Sequence, residues 1–466
     1  MSTTNPTPHF TLADQDTIVA VSTPPGTGGV GMVRVSGPDA VRVGGAVFRC
    51  HPAIGERVRH VEFGHILDAN GTPLDSGLGW FLKGPASYTG EDTIEITAHG
   101  NDLILEGLLK SAVANGAVVA RRGEFTRRAF LNGRLDLIQA ESVVDLIQAG
   151  GRLDLESSYG RASGRLSRIV HEMKDGIVAA LAAIEAGLDF ADEGDVDPCH
   201  GETVATGLLE LAERARRLTD TFEGTRQRHQ GYLVALVGRP NVGKSTLLNG
   251  LLGEERAIVT AVPGTTRDLV EGRAVWSGEV IRLVDTAGLR SGGGPIVREG
   301  MRRTRELLAE ADFVVAVLDG SRPWEREDEM IVDLLKTQRG VAAVSKQDLG
   351  VRMDLRELAR RGARVVHVSG LAETGLTELM DDISTHLNRP DLVEGIGLLR
   401  RRHYDLMCLV EERSREAAGL LAEGSSLPEC SAPGLQESLG ALGELLGEGI
   451  EDAVLDHIFS EFCIGK

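Results

Sequence analysis

The sequence predicts a multidomain α/β protein, in which an N-terminal α+β domain precedes a discontinuous α-helical domain that carries an inserted, doubly wound α/β domain. From Tyr232 to about Leu387, runs typical of buried strands (YLVALVG, EVIRLVDTAG, FVVAVLDG, GVAAVSKQD, RVVHVSG) alternate with helical segments. On both sides of this region, apolar residues recur at three- and four-residue steps, which is the period of an amphipathic helix. The order helix, sheet, helix indicates an insertion, because the ends of an inserted domain lie close together.

The predicted domain limits follow from these patterns. Residues 1 to about 130 mix short β-like runs (TIVAVS, VGMVRVS, TIEITAHG) with one helical stretch around LILEGLLKSAVANG. The helical period then extends from Leu135 to about Phe222 and returns after NRPDL. We therefore predict an α+β domain at 1–130, the first helical part at 131–228, the inserted domain at 229–388, and the second helical part at 389–466.

Composition narrows the function classes. With 466 residues, 42% hydrophobic and 26% charged, the chain is predicted to be globular. A net charge of −19 argues against a protein whose whole surface attracts nucleic acid. Basic stretches at 120–134, 161–168 and 399–403 are candidates for local phosphate-binding patches, although each is more simply explained as a solvated helix face. Five scattered cysteines without a CxxC pair indicate reduced thiols. No leader or 18-residue apolar run is visible, which predicts a cytoplasmic protein.

The strongest motif is GRPNVGKST, Gly238 to Thr246, which lies directly between a predicted strand and a predicted helix. Its glycines allow backbone N–H groups to turn toward phosphates. Lys244 can neutralise the terminal phosphate charge, and Ser245 can offer a hydroxyl to Mg²⁺. This pattern predicts a P-loop.

Three further motifs follow in the order that a GTPase requires. GTTRD (264–268) supplies Thr266 for magnesium, DTAG (285–288) places Asp285 near magnesium and Gly288 near the γ-phosphate, and SKQD (345–348) supplies Asp348, a carboxylate that accepts the two N–H bonds of guanine. SGL (369–371) is predicted to close the base pocket. The predicted nucleotide contacts are Asn241, Val242, Gly243, Lys244, Ser245, Thr246, Thr260, Ala261, Val262, Pro263, Gly264, Thr265, Thr266, Asp285, Thr286, Ala287, Gly288, Ser345, Lys346, Gln347, Asp348, Ser369, Gly370 and Leu371.

Four further stretches carry a resemblance together with these motifs, namely DTIVAVSTPPGTGGVGMVRVSG, YTGEDTIEITAHG, RRGEFTRRAFLNGRLDLIQAE and the closing FCIGK. Over nearly its whole length, the chain resembles the MnmE (TrmE) family of tRNA-modification GTPases. The resemblance implies an N-terminal folate-binding and dimerising domain, a discontinuous helical domain, and an inserted Ras-like P-loop GTPase domain. It also implies an activity: with a flavin-containing MnmG-type partner and a tetrahydrofolate one-carbon donor, the family adds a carboxymethylaminomethyl group to C5 of the wobble uridine of tRNA. A homodimer, forming a heterotetramer with that partner, is part of the same expectation.

The resemblance assigns ions and further site residues. Potassium would lie among Asn241, Thr260, Val262 and Thr265, and magnesium would contact Ser245 and Thr266. Folate would contact residues that match the family's motifs, namely Arg34, Glu95, Arg134 and Lys466. Guanidinium groups suit the carboxylates of folate, and a carboxylate suits the donor edge of its pterin.

Three positions depart from the family pattern. Val297 stands at the catalytic glutamate position, twelve residues after Asp285, so either Glu299 substitutes for it or hydrolysis is weak. Ser345 replaces the usual asparagine of the guanine motif, and Thr27 replaces a usual arginine of the glycine-rich loop. We therefore predict Glu299 as the catalytic carboxylate of GTP hydrolysis.

The tail CIGK allows three interpretations of Cys463. Its length is that of a lipidation box, but Gly465 is not aliphatic and Lys466 is not a usual last residue. A core role is compatible with the helical spacing of Val454, Leu455, Ile458 and Phe462. The resemblance brings the tail back toward the folate site, where the Cys463 thiolate would be catalytic.

A second function class stays open from the sequence. Ribosome-assembly GTPases and nucleotide-gated scaffolds share the GTPase motifs, as would a family member that hydrolyses GTP weakly. The first 130 residues and the final four discriminate among them. A basic RNA-binding appendage after the GTPase motifs would favour ribosome assembly, but the chain from Asp391 is helical and mostly acidic.

Overall fold

The computed structural model describes residues 16–189, 201–253, 270–286, 307–387, 392–422 and 428–466. The chain forms two compact units. One contains Met1–Ile147, Tyr159–Ala212 and Leu409–Lys466, and the other contains Gln148–Ser158 and Glu213–Cys408. Among the described helices, none combines the length and the apolar character that crossing a membrane requires.

The strands are β1 (Ile18–Val21), β2 (Gly28–Ser36), β3 (Phe48–Cys50), β4 (Val61–Leu67), β5 (Pro73–Leu82), β6 (Thr93–Gly100), β7 (Val118–Val119), β8 (Tyr232–Val237), β9 (Val270–Trp276), β10 (Glu279–Asp285), β11 (Phe313–Asp319), β12 (Gly340–Ser345) and β13 (Val365–His367). The helices are α1 (Ala40–Val47), α2 (Asp102–Ala114), α3 (Glu124–Leu131), α4 (Leu137–Gln148), α5 (Arg152–Ala162), α6 (Arg165–Asp189), α7 (Gly201–Asp220), α8 (Phe222–Gln230), α9 (Lys244–Leu252), α10 (Arg326–Asp333), α11 (Arg356–Arg360), α12 (Leu376–His386), α13 (Arg401–Ala422), α14 (Ala432–Leu446) and α15 (Asp452–Ser460).

The first unit contains a seven-stranded sheet in the order β3-β4-β5-β6-β2-β1-β7. Alternate residues of its central strands, such as Val33, Val35, Ile94 and Ile96, are fully buried under α1 and α2. Because side chains alternate across a strand, the residues between them project from the opposite face of the sheet. The register pairs Arg34 with Glu95 on that opposite face.

Helices complete the first unit. The predicted apolar period of α6 is confirmed in that Leu166, Ile169, Val170, Met173, Ile177 and Ile184 are buried, whereas Val178 is exposed. Helix α6 packs against α14. Helix α15 buries Leu455 and Phe459, and Phe462 is buried just beyond its end. The predicted apolar face was wrong for Val454, which is exposed, and it omitted Phe459.

The second unit contains a six-stranded sheet in the order β13-β12-β11-β8-β10-β9, in which only the β9–β10 pair is antiparallel. Strands β8 and β11 are buried throughout, as expected for strands that are covered on both faces. The chain order of the strands reverses at β8, between β10 and β11. Ligands of such sheets bind at the carboxyl ends of the strands beside this reversal.

Candidate nucleotide and one-carbon sites

The P-loop lies at the carboxyl end of β8, where the sheet topology predicts a ligand site. Asn241 and Gly243 adopt positive φ angles of 62° and 100°, which turn the loop back on itself before α9 begins at Lys244. Gly238 leaves no space for a side chain, because a Cβ atom there would lie 2.5 Å from the carbonyl oxygen of Val317. The sequence therefore folds locally into a nest of backbone groups that suits phosphate.

Lys244 bridges this loop from inside. Its Nζ donates hydrogen bonds to the carbonyl oxygens of Gly238 (3.1 Å) and Arg239 (3.0 Å). Burial lowers the pKa of the Lys244 ammonium, and the nearby charge of Asp285 opposes that shift. A bound phosphate would supply the negative charge that this partly desolvated cation lacks.

Two of the residues predicted to lie at magnesium, Ser245 and Asp285, meet beside the loop, whereas Thr266 lies outside the described residues. Ser245 donates its hydroxyl hydrogen bond to Asp285 Oδ2 at 2.7 Å. Asp285 is buried, and its other oxygen, Oδ1, has no hydrogen-bond partner in the part of the chain that the structure describes. A buried carboxylate oxygen without a donor fits a divalent cation, for which hard oxygen ligands are preferred. Ser245 and Asp285 would hold Mg²⁺, which when bound neutralises charge on the phosphates.

Two side chains of the SKQD segment (345–348), the predicted guanine loop, form hydrogen bonds with the P-loop. Ser345 Oγ lies 2.6 Å from the carbonyl oxygen of Val242 and 2.9 Å from that of Leu318. Lys346 Nζ donates to the carbonyl oxygen of Asn241 (2.8 Å) and to Asp319 Oδ2 (2.7 Å). The serine that departs from the family pattern therefore still joins the end of β12 to the phosphate loop.

The carboxylate that is predicted to read the base, Asp348, lies at the surface of this loop. Asp348 is exposed, and its Oδ1 accepts a hydrogen bond from Ser369 Oγ at 2.7 Å. Gly370 lies directly against the start of α9, because a Cβ atom there would be 2.9 Å from the carbonyl oxygen of Thr246. Leu371 is exposed, whereas Gln347 contacts His367. The SKQD and SGL segments thus meet at Asp348 and Ser369, and the closing of a base pocket by SGL stays a prediction.

Part of the predicted nucleotide site lies outside the described residues. These positions are Thr260, Ala261, Val262, Pro263, Gly264, Thr265, Thr266, Ala287, Gly288 and Glu299. Thr286, at the edge of this gap, is fully buried and donates its hydroxyl to the carbonyl oxygen of Leu236 at 2.8 Å.

A second polar cluster lies in the first unit. Arg34 Nε donates to Glu95 Oε1 at 2.7 Å, and Trp80 Nε1 donates to Glu95 Oε2 at 2.9 Å. The Arg34 guanidinium carbon lies 5.4 Å from the ring centre of Tyr88 and 5.5 Å from that of Phe125. Its Nη1 is buried without a hydrogen-bond partner among the described residues. An unsatisfied buried cation donor is the chemistry that a folate carboxylate or carbonyl would complete.

The C-terminal tail packs against this cluster. Gly465, with φ 92°, lies so close to the carbonyl oxygen of Val21 that no other residue fits. Burial and the nearby charge of Arg34 lower the pKa of the Lys466 ammonium, while Glu95 and Cys463 oppose the shift. Lys466 is therefore brought together with the predicted folate residues Arg34 and Glu95. Cys463 is exposed, and its carbonyl oxygen accepts a hydrogen bond from Gly123 N at 3.4 Å.

Arg134 stands slightly apart from this cluster. It is exposed, and its Cγ lies 3.3 Å from the position that a Cβ atom would take on Gly90. The 88–91 segment, which includes Tyr88, therefore lies between Arg134 and Arg34.

Sequence reasoning missed three residues of these sites. Asp319 accepts hydrogen bonds from Lys346 and from Ser321 N and Oγ; burial alone would raise its pKa, but those hydrogen bonds lower it below the usual range. Its position at the end of a buried strand was a usable signal. Trp80 and Tyr88 carry no such signal, because only the strand register and loop packing bring them to Glu95 and Arg34.

A P-loop at the end of a central parallel strand, a magnesium-suited aspartate on the neighbouring strand and a guanine-reading loop define a P-loop GTPase. The match to known proteins is more specific. Residues 17–134 match the family model described as GTP-binding protein TrmE N-terminus, and residues 137–463 match the model described as MnmE helical domain. The chain belongs to the MnmE family, and it is a GTP hydrolase.

Full-length relatives support this membership. The chain is 39% identical over 461 residues to the tRNA modification GTPase MnmE of Geotalea uraniireducens, covering 97% of this chain and 99% of the relative. It is 40% identical over 457 residues to the protein of the same description from Geobacter sulfurreducens, with the same coverage. The relative from Aquifex aeolicus is 38% identical over 453 residues, covering 97% of this chain and 100% of its own length.

Proposed function

We propose that this GTPase modifies tRNA, and that with a flavin-dependent MnmG-type partner it adds a carboxymethylaminomethyl group to C5 of the wobble uridine. The observation that carries this proposal is the packing of the C-terminal tail, through Gly465, against Val21 of β1, the strand next to the one that carries Arg34 of the Arg34–Glu95 pair. GTPase motifs alone do not require such a cluster. The N-terminal family match and the relatives named tRNA modification GTPase support the same function.

Each site would contribute different chemistry. In the nucleotide site, Lys244 and the P-loop amides hold the phosphates, while Asp348 selects guanine. In the first unit, Arg34 and Lys466 would bind the carboxylates of a tetrahydrofolate derivative, Glu95 its pterin, and Arg134 its exposed end. Cys463 is exposed and would supply a thiolate nucleophile. Glu299 remains our candidate for organising GTP hydrolysis.

An exposed apolar face beside the folate cluster supports the proposed homodimer. Phe63 is 66% exposed and Val61 is 53% exposed. The strand register pairs Phe63 with Leu78 and Val61 with Trp80. Trp80 is paired in turn with Glu95. Directly paired residues project from the same face of a sheet. We therefore assign this face to a second copy of the chain, with the partner flavoprotein completing a heterotetramer.

The tRNA of cells that lack the protein tests the proposed function. Mass spectrometry should find wobble uridines without the carboxymethylaminomethyl group, and a plasmid carrying the unaltered gene should restore it. A plasmid carrying Cys463→Ser should not restore it, because a hydroxyl is a far weaker nucleophile than a thiolate. Intact modification in the deletion strain would refute the function, and full restoration by Cys463→Ser would remove the thiolate from it.

Potassium should accelerate GTP hydrolysis relative to sodium. Asn241 is exposed, and its side chain makes no hydrogen bond within the described ranges, so its amide oxygen is available to a cation beside the phosphates. We expect turnover about tenfold or more faster in potassium chloride than in sodium chloride, because a cation placed there offsets charge that develops in the transition state.

The Asn241→Ala variant should lose most of this potassium response. Asn249→Ala, which changes an exposed asparagine on α9, is the matched control and should keep it. Equal steady-state rates in the two salts for the unaltered protein would contradict the assignment.

A further inference from the structure

A cavity of about 260 Å³ lies in the first unit, away from the Arg34–Glu95 cluster. It opens between the β1–β7 edge of the sheet, the start of α3 and the end of α15. Its lining residues are Asp16, Ile18, Val118, Val119, Arg121, Arg122, Glu124, Arg127, Asp456, Phe459 and Ser460.

The arginines around this cavity fall into two groups. Arg128 is buried and pairs with Glu91 (3.1 Å) and Glu124 (2.9 Å), and Arg127 faces acidic residues of α15 at 3.5–3.9 Å. Arg121 and Arg122 differ, because both are exposed and neither side chain has a hydrogen bond or ion pair within the described part of the chain. Some arginines of the basic stretch 120–134 thus pair with acidic residues of the protein itself, whereas the guanidinium groups of Arg121 and Arg122 are left to contact a ligand.

The remaining wall of the cavity is mostly apolar. Val118 and Val119 are each about half exposed, and Phe459 contributes to the opposite side. The carboxylates of Glu124 and Asp456 already face Arg128 and Arg127, so Asp16 is the one lining carboxylate that opposes the two unpaired guanidinium groups. The cavity therefore combines two guanidinium groups that have no ion pair among the described residues with a partly apolar surface.

The cavity shares its walls with the C-terminal tail. Phe459 and Ser460 precede Cys463 by only a few residues, and Gly123, next to Arg122, donates its backbone hydrogen bond to the Cys463 carbonyl oxygen. A molecule held here is thereby bound by the same two chain segments that position the exposed thiol.

We propose that this cavity binds a single-stranded segment of the tRNA substrate, an inference that rests on the proposed function. Arg121 and Arg122 contact backbone phosphates, as the basic grooves of single-strand-binding proteins do, and Val118 and Val119 give one unstacked base an apolar surface to pack against. The volume lies just below the range of about 300–1,000 Å³ that holds a drug-sized ligand, so it suits one nucleotide. In a chain of net charge −19, adjacent unpaired arginines favour phosphate over an acidic protein surface, because planar guanidinium groups match phosphate oxygens.

Binding of unmodified tRNA to the full-length double variant Arg121→Ala/Arg122→Ala tests this site. Fluorescence anisotropy over a series of salt concentrations should show a dissociation constant about tenfold or more higher than that of the unaltered protein. The slope of log affinity against log salt should fall by about 1.4, since each single-strand phosphate contact contributes about 0.7. The thermal unfolding midpoint should hardly move, because both side chains are exposed and make no hydrogen bond or ion pair with the residues that the structure describes.

The matched control is Arg216→Ala/Arg217→Ala, which removes the same charge from exposed positions of α7. An equal loss of affinity in this control would refute a local site in favour of overall charge. Unchanged tRNA binding by the Arg121/Arg122 variant would also refute the proposed site. The same holds if that variant binds tRNA normally but no longer binds the partner flavoprotein. Displacement of tRNA by inorganic phosphate, beyond chloride of equal ionic strength, would reduce the cavity to a small-anion site. If the unaltered protein bound no tRNA, this site would be refuted, whereas the proposed function would still be decided by the wobble uridines of the deletion strain.

Discussion

Replacing Lys244 with alanine should weaken GTP binding by about 10²–10⁴-fold. Lys244 lies inside the P-loop, with its ammonium 3.0–3.1 Å from two loop carbonyl oxygens and its pKa lowered by burial. With GTP bound, the ammonium would make hydrogen bonds to phosphate oxygens. Each hydrogen bond to a charged group contributes about 1.5–3 kcal/mol, and about 1.4 kcal/mol corresponds to a tenfold change in affinity.

Isothermal titration calorimetry with a non-hydrolysable GTP analogue measures this loss directly. The control is Lys336→Ala, which removes an equal charge from the same unit at an exposed lysine whose ion pair, among the described residues, is with Asp333. That variant should bind the analogue within about twofold of the unaltered protein, since exposed ion pairs contribute little. A Lys244→Ala protein that bound the analogue almost normally would show that the loop does not hold phosphate.

The nucleotide site was largely predictable because each of its described elements is a short contiguous motif. Lys244, Ser245 and Asp348 each follow a buried strand that the apolar pattern identifies, and parallel strands bring their carboxyl ends to one edge. What the motifs do not contain is the connection between them. The bonds from Lys346 to Asp319 and from Ser345 to the Val242 carbonyl join residues that are 27 and 103 positions apart, so only the folded sheet reveals them.

The cluster in the first unit was less predictable from the residues themselves. Arg34 and Glu95 were identified through resemblance, since an isolated arginine in a strand is usually a surface residue. Their pairing depends on the register of β2 with β6, which a shift of one residue would destroy. The tail was misjudged in detail for a similar reason. A helical period alone did not reveal that Phe459 faces the core while Val454 faces solvent.

Replacing Arg34 with alanine should destabilise the first unit by about 3–5 kcal/mol and abolish folate binding. The Arg34 and Glu95 side chains are only 12% and 11% exposed, so removing the guanidinium leaves a buried carboxylate without its counter-charge. Trp80 still donates to Glu95 and the Lys466 ammonium is nearby, but neither a neutral donor nor a cation that forms no ion pair with Glu95 among the described residues replaces the guanidinium at 2.7 Å. Scanning calorimetry of the full chain should show the corresponding transition falling by roughly 6–20 °C, since about 1 kcal/mol corresponds to about 2–4 °C in a unit of this size.

The double variant Arg34→Met/Glu95→Gln separates stability from binding. It removes both charges, keeps a similar volume, and retains an amide oxygen to accept from Trp80, so most of the lost stability should return. Folate binding should remain lost, because the guanidinium that would bind the ligand is still absent. Recovery of both properties would show that Arg34 only supports the fold, whereas a double variant as unstable as Arg34→Ala would show that the charge pair is not the source of the destabilisation. Stable protein without folate affinity is the result that requires the Arg34–Glu95 pair to bind folate apart from its role in the fold, as the buried, unpaired Nη1 of Arg34 and the assignment of Glu95 to the pterin lead us to expect.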